Sequence, residues 1–255
     1  MTVQLLERTA RTRLRRVLLT AHHHPDRSFR LPLHIKLFLI AHNDTTGQAH
    51  LAHTALCRGL AGAILLELWL TGRIQIGWRY DARNGVATLE PGLIRVLDPN
   101  LIGDPLTDAA LAHIWRTGGA LHVRQFVKEF ATPDLHDRVR ADMVATGVLH
   151  RVTRRRLLFS RREAHIPVHP RLSLRARSSV RDIADNPGHT YAEDQQSNHQ
   201  AQALAGLVLA LGLTRHVIPA SPAEFQRKLI DLLAGQRDPA IRETVAVLAP
   251  RRHQV

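Results

Sequence analysis

The segment GLAGAILLELWLTGRIQI, Gly59 to Ile76, constrains the fold more than any other stretch of the chain. On a helix, Leu60, Ile64, Glu67, Leu68 and Thr71 share one side, and Ala63, Leu66 and Leu70 share another. A helix apolar almost all round belongs inside a core or a membrane. The charge-free apolar runs, Gly59–Leu66 and Ala203–Leu213, fall short of the about 18 residues that a spanning helix needs. The segment therefore reads as a central core helix. Glu67 must then find a partner or an exposed edge, because a lone buried carboxylate is costly. Gly59 and Gly62 permit a neighbouring helix to come close. Gly72 provides the stop, followed by Arg73, a cation suited to a helix C-terminus.

The rest of the chain supplies partners for such a core, and 255 residues are enough to bury one of good size. Residues 1–20 read as a basic amphipathic helix ended by His22-His23-His24-Pro25. Leu31–Ala41 reads as an apolar helix with Lys36 on its exposed side. HNDTTGQ, 42–48, is a turn, and Thr54 is a candidate cap for the helix running to Leu70. A strand follows from Ile74, with short strands at Val86–Leu89 and Leu93–Leu97. Leu106–Arg116, Leu121–Phe130 and Leu135–Thr146 are helices. Val148–Phe159 holds two short strands around an Arg-rich turn. Arg171–Asp185, Ala201–Leu213, Pro222–Ala234 and Pro239–Leu248 are helical, with a polar loop at 186–199. The expectation is a mainly α protein: a single globular bundle-like domain over 31–250 with small peripheral β-hairpins, and a basic, variable N-terminal arm over 1–30.

The formal charge of +13 points to an anionic partner, although only Lys36, Lys128 and Lys228 among the 35 basic residues are lysine. The cations concentrate in one region. Arg151, Arg154, Arg155, Arg156, Arg161, Arg162, Arg171, Arg175, Arg177 and Arg181 face only Glu163 as an opposing acid. That excess surpasses what solubility requires. Cys57 is the only cysteine, so an internal disulfide and a cysteine zinc cluster are excluded, as suits a reducing cytoplasm. The arginine-rich first residues do not read as a secretory signal.

Motifs for phosphate-loop, dinucleotide, zinc-protease or serine-hydrolase chemistry are missing, and no enzyme, cofactor or metal is expected. His22–His24 read as a solvated turn, and Pro167 breaks the helical spacing of His165 and His169. Cys57 beside Arg58 is a candidate for a lowered thiol pKa, but no base accompanies it in sequence.

Four segments then carry a resemblance: LFLIAHNDTTGQ at 37–48, GLAGAILLELWLTGRIQI at 59–76, DPLTDAALAHI at 104–114 and DMVATGVLHRVTRRRLLF at 142–159. With QALAGLVLALGLTRHVI at 202–218, they resemble the Golgi phosphoprotein 3 family in order and spacing, over roughly 31–248. The resemblance implies a helical bundle with peripheral hairpins and a peripheral membrane adaptor rather than an enzyme. Eukaryotic members read phosphatidylinositol 4-phosphate and link glycosyltransferases to coat proteins. It also implies self-association through the hairpin at Val148–Phe159.

The four positions it assigns to the headgroup pocket are Ala52, Ala61, Pro133 and His136 here, and only His136 keeps basic character. With the arginine skew, this fits a divergent bacterial member. Arg58, His136, Arg138 and Arg140 are the headgroup candidates. Arg151 and Arg154–Arg156 form the basic surface, and Leu157, Leu158 and Phe159 the oligomer hairpin. The expected partners are anionic membrane lipid, a second copy of the chain and other proteins. The alternative is a nucleic-acid binder using 135–162 as a winged-helix element, with the helix in the groove and the hairpin on the backbone.

Overall fold

The computed structural model describes residues 30–81, 86–118, 121–156, 160–187 and 195–249, with backbone alone for 78–81, 86–89, 154–156 and 160–162. The N-terminal helix read over 1–20, the His22–His24 turn and the apolar Leu157–Phe159 lie outside the described residues.

Helix α1 (Leu33–Ala41) is short and buried at eight of its nine positions. No side chain of its own caps it. Instead, Glu67 in the next helix reaches across, and Oε2 accepts the Leu33 N–H at 2.8 Å. Arg30 lies 3.7 Å from the same carboxylate. Glu67 thereby finds the partner its burial demands. Lys36, expected on the exposed side, lies instead in this polar cluster, where Nζ donates to Gln200 Oε1 at 2.6 Å. Burial, then repulsion from Arg30, pulls its ammonium down to about 8.

Helix α2 (His53–Leu70) begins one residue before the expected Thr54, which falls inside the first turn. Its entry is held by the ring of His53, whose Nε2 donates to the Pro133 carbonyl at 2.7 Å. By length and composition α2 is apolar enough to cross a bilayer, yet its side chains from Leu56 to Leu68 are almost all buried within this chain. Helices packed later in the chain surround it. The glycines explain how they come so near. A Cβ on Gly59 would sit 2.6 Å from Leu211 Cδ1, and one on Gly62 would sit 2.7 Å from Leu248 Cδ1. At the end Arg73 N–H returns to the Leu68 carbonyl, and Gly72 adopts φ +71°, a left-handed stop. Arg73 then pairs with Asp98.

A three-stranded antiparallel sheet follows: β1 (Ile74–Asp81), β2 (Val86–Val96) and β3 (Leu121–His122), in the order β1-β2-β3. The two short strands expected at 86–97 are one strand, whose register against β1 shifts between Ile76 and Trp78, where residues 90–93 of β2 stand opposite Gly77 alone. Leu121 and His122, read as helical, are extended because they pair with Ile94 and Leu93.

Helix α3 (Pro105–Arg116) lies between β2 and β3, and α4 (Val123–Phe130) and α5 (Leu135–Ala145) follow. Asp104 caps α3 through its carboxylate, and Pro105 occupies the first helical position.

The second sheet is the hairpin of β4 (Leu149–Arg156) and β5 (Ser160–Pro167), in register from Leu149↔Pro167 to Arg156↔Ser160. It is longer than expected. The arginines expected at its tip run along β4, with the backbone of Arg154 opposite Arg162. The segment HIP at 165–167, given no element from sequence, belongs to β5, since β4 needs a partner of equal length for its backbone groups.

Helices α6 (Pro170–Asp185), α7 (Gln195–Ala210), α8 (Thr214–Val217), α9 (Pro222–Ala234) and α10 (Pro239–Leu248) complete the body. Helix α7 starts six residues before the expected Ala201. Its polar first turns read as loop because Asn198 and Gln200 are buried rather than solvated. Gln200 Nε2 donates to the Leu31 carbonyl at 2.9 Å. The fold is thus mainly α, with ten helices and two small antiparallel sheets among the described residues.

Candidate functional site: two clefts beside the 42–50 turn

The turn after α1 organises the most distinctive surface. Asn43 Oδ1 accepts the N–H groups of Thr45 and Thr46 at 2.9 and 2.8 Å, closing the turn on itself. Gly47 follows at φ +67°, with an added Cβ only 2.6 Å from the His165 carbonyl oxygen. Only glycine lets the turn lie directly on the backbone of β5. The turn then separates two clefts.

The first cleft, about 380 Å³, is lined by Phe38, His42, Gly47, His136, Arg140, Glu163 and His165, among others. Phe38, His42 and His136 stack, with ring centroids 3.9 Å apart for the first pair and 5.3 Å for the two histidines. His42 Nδ1 donates to the Phe38 carbonyl at 2.8 Å, so its Nε2 is left to accept from His136 Nε2 at 3.2 Å. His136 Nδ1 also faces Asp137 Oδ1 at 3.1 Å. A neutral His136 can donate to only one of these two partners, whereas the imidazolium donates to both. Burial opposes that protonation: it pushes His136 below its usual value, with Arg140 adding to the effect. Burial likewise lowers His165, and brings His42 down to about 4. The cleft is therefore uncharged at its rings near neutral pH and gains positive charge in acid.

The second cleft, about 630 Å³, is lined by Asp44, His50, Arg177, Arg181, Arg215 and His216, together with Asn43, Thr45, Val217 and Pro219. Three guanidinium groups face a single carboxylate. Arg177 Nη1 binds Asp44 Oδ2 at 2.7 Å, and Arg181 Nη2 donates to the Val217 carbonyl at 2.6 Å. Arg215 Nε donates only to the ring of His216, at 3.0 Å, and is exposed. The His50 and His216 rings stack at 3.6 Å. Burial and the neighbouring cations hold both below their usual value, His216 at about 4. This cleft is cationic with its histidines neutral.

The residues proposed from sequence are partly brought together. His136 and Arg140 share the first cleft. Arg138 turns away toward Asp134, 4.0 Å distant, and Arg58 lies elsewhere, with Nη2 donating to the Val247 carbonyl at 3.1 Å. Of the four positions that resemblance assigns to a headgroup pocket, Pro133 and His136 meet around His53, which follows Ala52. Ala61 is fully buried and cannot touch a ligand.

Arg151 pairs with Glu163 across the hairpin at 3.2 Å. Asp134 and Asp137 lie beside Arg138 and Arg140, at 4.0 and 3.1 Å, on the exposed side of α5. Val148 and Leu149 are buried in the chain's own core.

Cys57 is corrected too. It is buried, and burial pushes its thiol up, not down. His53 lies 3.7 Å away, but its Nε2–H is already given to Pro133, so it is no base for the thiol. His165 sits in β5 and His169 caps α6, so they are not a helical pair.

Sequence reasoning missed His42, His50, His165, Arg215 and His216. The turn motif at 42–48, which begins at His42 and ends two residues before His50, was a local signal for those two alone.

These features define a class: a packed helical body with an apolar central helix, a marginal hairpin and cation-bearing clefts around one exposed turn. The chain belongs to the Golgi phosphoprotein 3 (GPP34) family, whose model matches residues 33–248. It is a family of adaptor type rather than of enzymes. Compared with curated proteins one by one, the chain matches none.

Proposed function

We propose that the protein is a peripheral membrane adaptor that binds anionic phospholipid headgroups through the clefts beside the 42–50 turn. The observation that carries the reading is the second cleft, where Arg177, Arg181 and Arg215 converge against Asp44 alone. Guanidinium groups suit phosphate oxygens because their planar donors engage two at once. Each cation near an anionic leaflet adds on the order of 1 kcal/mol, so the cleft and the flanking Arg-rich hairpin suffice without a shaped pocket. The His136–Arg140 cleft joins in as acid protonates its rings. Family membership supports the adaptor role. Selectivity for phosphatidylinositol 4-phosphate over other anionic lipids is weak, because Ala52, Ala61 and Pro133 stand at the pocket positions of the family. Self-association through the hairpin and the apolar Leu157, Leu158 and Phe159 belongs to the same reading.

The test is flotation with vesicles of phosphatidylcholine alone or with added phosphatidylserine or phosphatidylinositol 4-phosphate, beside a DNA shift assay at the same salt. Binding should require the anionic lipid, whichever it is, and fall with salt, since screening shortens to about 3 Å at 1 M. Equal binding to phosphatidylcholine vesicles, or tighter binding to duplex DNA, would overturn the proposal.

A further inference from the structure

Away from both clefts, three metal-ligating side chains meet where no sequence motif joins them. His34 lies in the first turn of α1, Asp104 caps α3 and Asp142 lies in the last turn of α5. One ligand atom from each lies within 4.8 Å of the other two. His34 is fully buried, and neither ring nitrogen has a hydrogen-bond partner. Buried imidazoles are ordinarily satisfied, so an unpartnered one facing two carboxylates points to a missing ligand. A cation suits that place, because two carboxylates converge on the imidazole at the edge of the core.

Asp104 is held for the task. Oδ2 accepts from the Thr107 N–H at 3.2 Å and from the Thr107 hydroxyl, and Thr107 is itself fully buried. Those bonds fix the carboxylate from behind and leave Oδ1 free of the cap, as the outer partners of metal-bound carboxylates do. The two aspartates are half-exposed, which gives an ion a route to the buried nitrogen.

We propose that His34, Asp104 and Asp142 bind one divalent transition-metal ion of the zinc class. The imidazole disfavours calcium and magnesium, which take oxygen ligands in larger number. One nitrogen and two carboxylate oxygens, with water completing the shell, match the donor set of four-coordinate zinc. Around such an ion, ligand atoms at about 2.1 Å would stand about 3.4 Å apart, so closing from 4.8 Å needs only side-chain adjustment. The ion would tie α1, α3 and α5 together. Its role is to fasten the helices rather than to bind lipid, so this proposal stands apart from the lipid reading.

The full-length protein is stripped with chelator, loaded with zinc and passed through gel filtration, and retained metal is measured. Wild type should keep one ion more than Asp142→Asn, and one more than Asp104→Asn, in which asparagine preserves the helix cap. A variant with alanine at His22, His23 and His24 controls for adventitious binding there and should keep the same ion as wild type. Zinc at a hundredfold excess over its Kd should raise the wild-type Tm by roughly 5–10 °C and that of Asp142→Asn hardly at all. Circular dichroism of the metal-free proteins establishes that each variant folds. Equal retention by wild type and both folded aspartate variants, loss of the ion on removing the three N-terminal histidines, or an unchanged wild-type Tm would each overturn the proposal.

Discussion

Replacing Glu67 by leucine should destabilise the protein sharply although it makes the central helix uniformly apolar. Glu67 is only 8% exposed, and its Oε2 stands in for the missing cap of α1 by accepting the Leu33 N–H at 2.8 Å. A hydrogen bond to a charged acceptor is worth about 1.5–3 kcal/mol, and leaving the donor buried forfeits it. Arg30, 3.7 Å away and 21% exposed, would lose its counter-charge, while its Nε and Nη2 already lack hydrogen-bond partners. Truncating one member of a buried pair costs about 3–5 kcal/mol, and partial exposure of Arg30 sets the value at the low end. Leucine returns part of this through apolar burial, so the net loss is about 3 kcal/mol. For a chain of this length that lowers the Tm by roughly 6–12 °C.

Glu67→Gln is the control that separates the causes. The amide oxygen still accepts from Leu33, and a neutral group escapes the burial that pushes the Glu67 carboxyl above its usual range. It keeps the cap but, like leucine, takes the counter-charge from Arg30, so it should cost about 1–2 kcal/mol, less than leucine. Urea unfolding followed by circular dichroism, with unchanged m-values, reads both differences. If leucine proves as stable as wild type, or glutamine as damaging as leucine, the bridging role assigned to Glu67 is wrong.

The remaining expectations concern packing, acid and lipid. Gly206→Ala would place a Cβ 2.6 Å from Val245 Cγ2 at the α7–α10 contact, so it should cost about 1–3 kcal/mol in the same urea assay. His42, held at about 4 against an ordinary 6.5, contributes stability that is present above pH 6.5 and lost as pH falls toward 4. Between pH 7 and 5 the wild type should therefore lose about 2 kcal/mol more than His42→Phe, and parallel losses would remove His42 as the cause. Arg215→Glu reverses one exposed charge in the cationic cleft, and vesicle binding should weaken by about thirtyfold with the melting curve unchanged. Lipid binding should strengthen as pH falls from 6.5 toward 4, because the cleft rings, all held below their usual value, gain protons only in that range, measured by flotation at constant salt.

The sequence by itself determined the mainly helical class, the burial of α2, the close approach at Gly59 and Gly62 and the stop at Gly72. Each follows from a property local to a few residues: apolar periodicity, the missing side chain of glycine, or its access to positive φ. The family was legible for a related reason, since the motifs that build the core helices keep their spacing. What depends on distant partners was not legible. Lys36 looked exposed because its partner Gln200 lies 164 residues away. The first turns of α7 looked like loop because Gln196 and Gln200 find their partners in Leu70, Leu31 and Lys36, far away in the chain. Leu121–His122 became a strand only because β2 offered it hydrogen bonds.

The candidate sites show the same division. His136 and Arg140 were found by position and charge, but their companion His42 is 94 residues from His136 and joins it only in the folded chain, by stacking and a ring-to-ring hydrogen bond. The cationic cleft and the His34–Asp104–Asp142 group each assemble from separate elements whose order in the chain records nothing of their proximity. Periodicity reports which face of an element is buried; the identity of what covers it is decided when the elements pack, because only then do polar groups find or fail to find their partners.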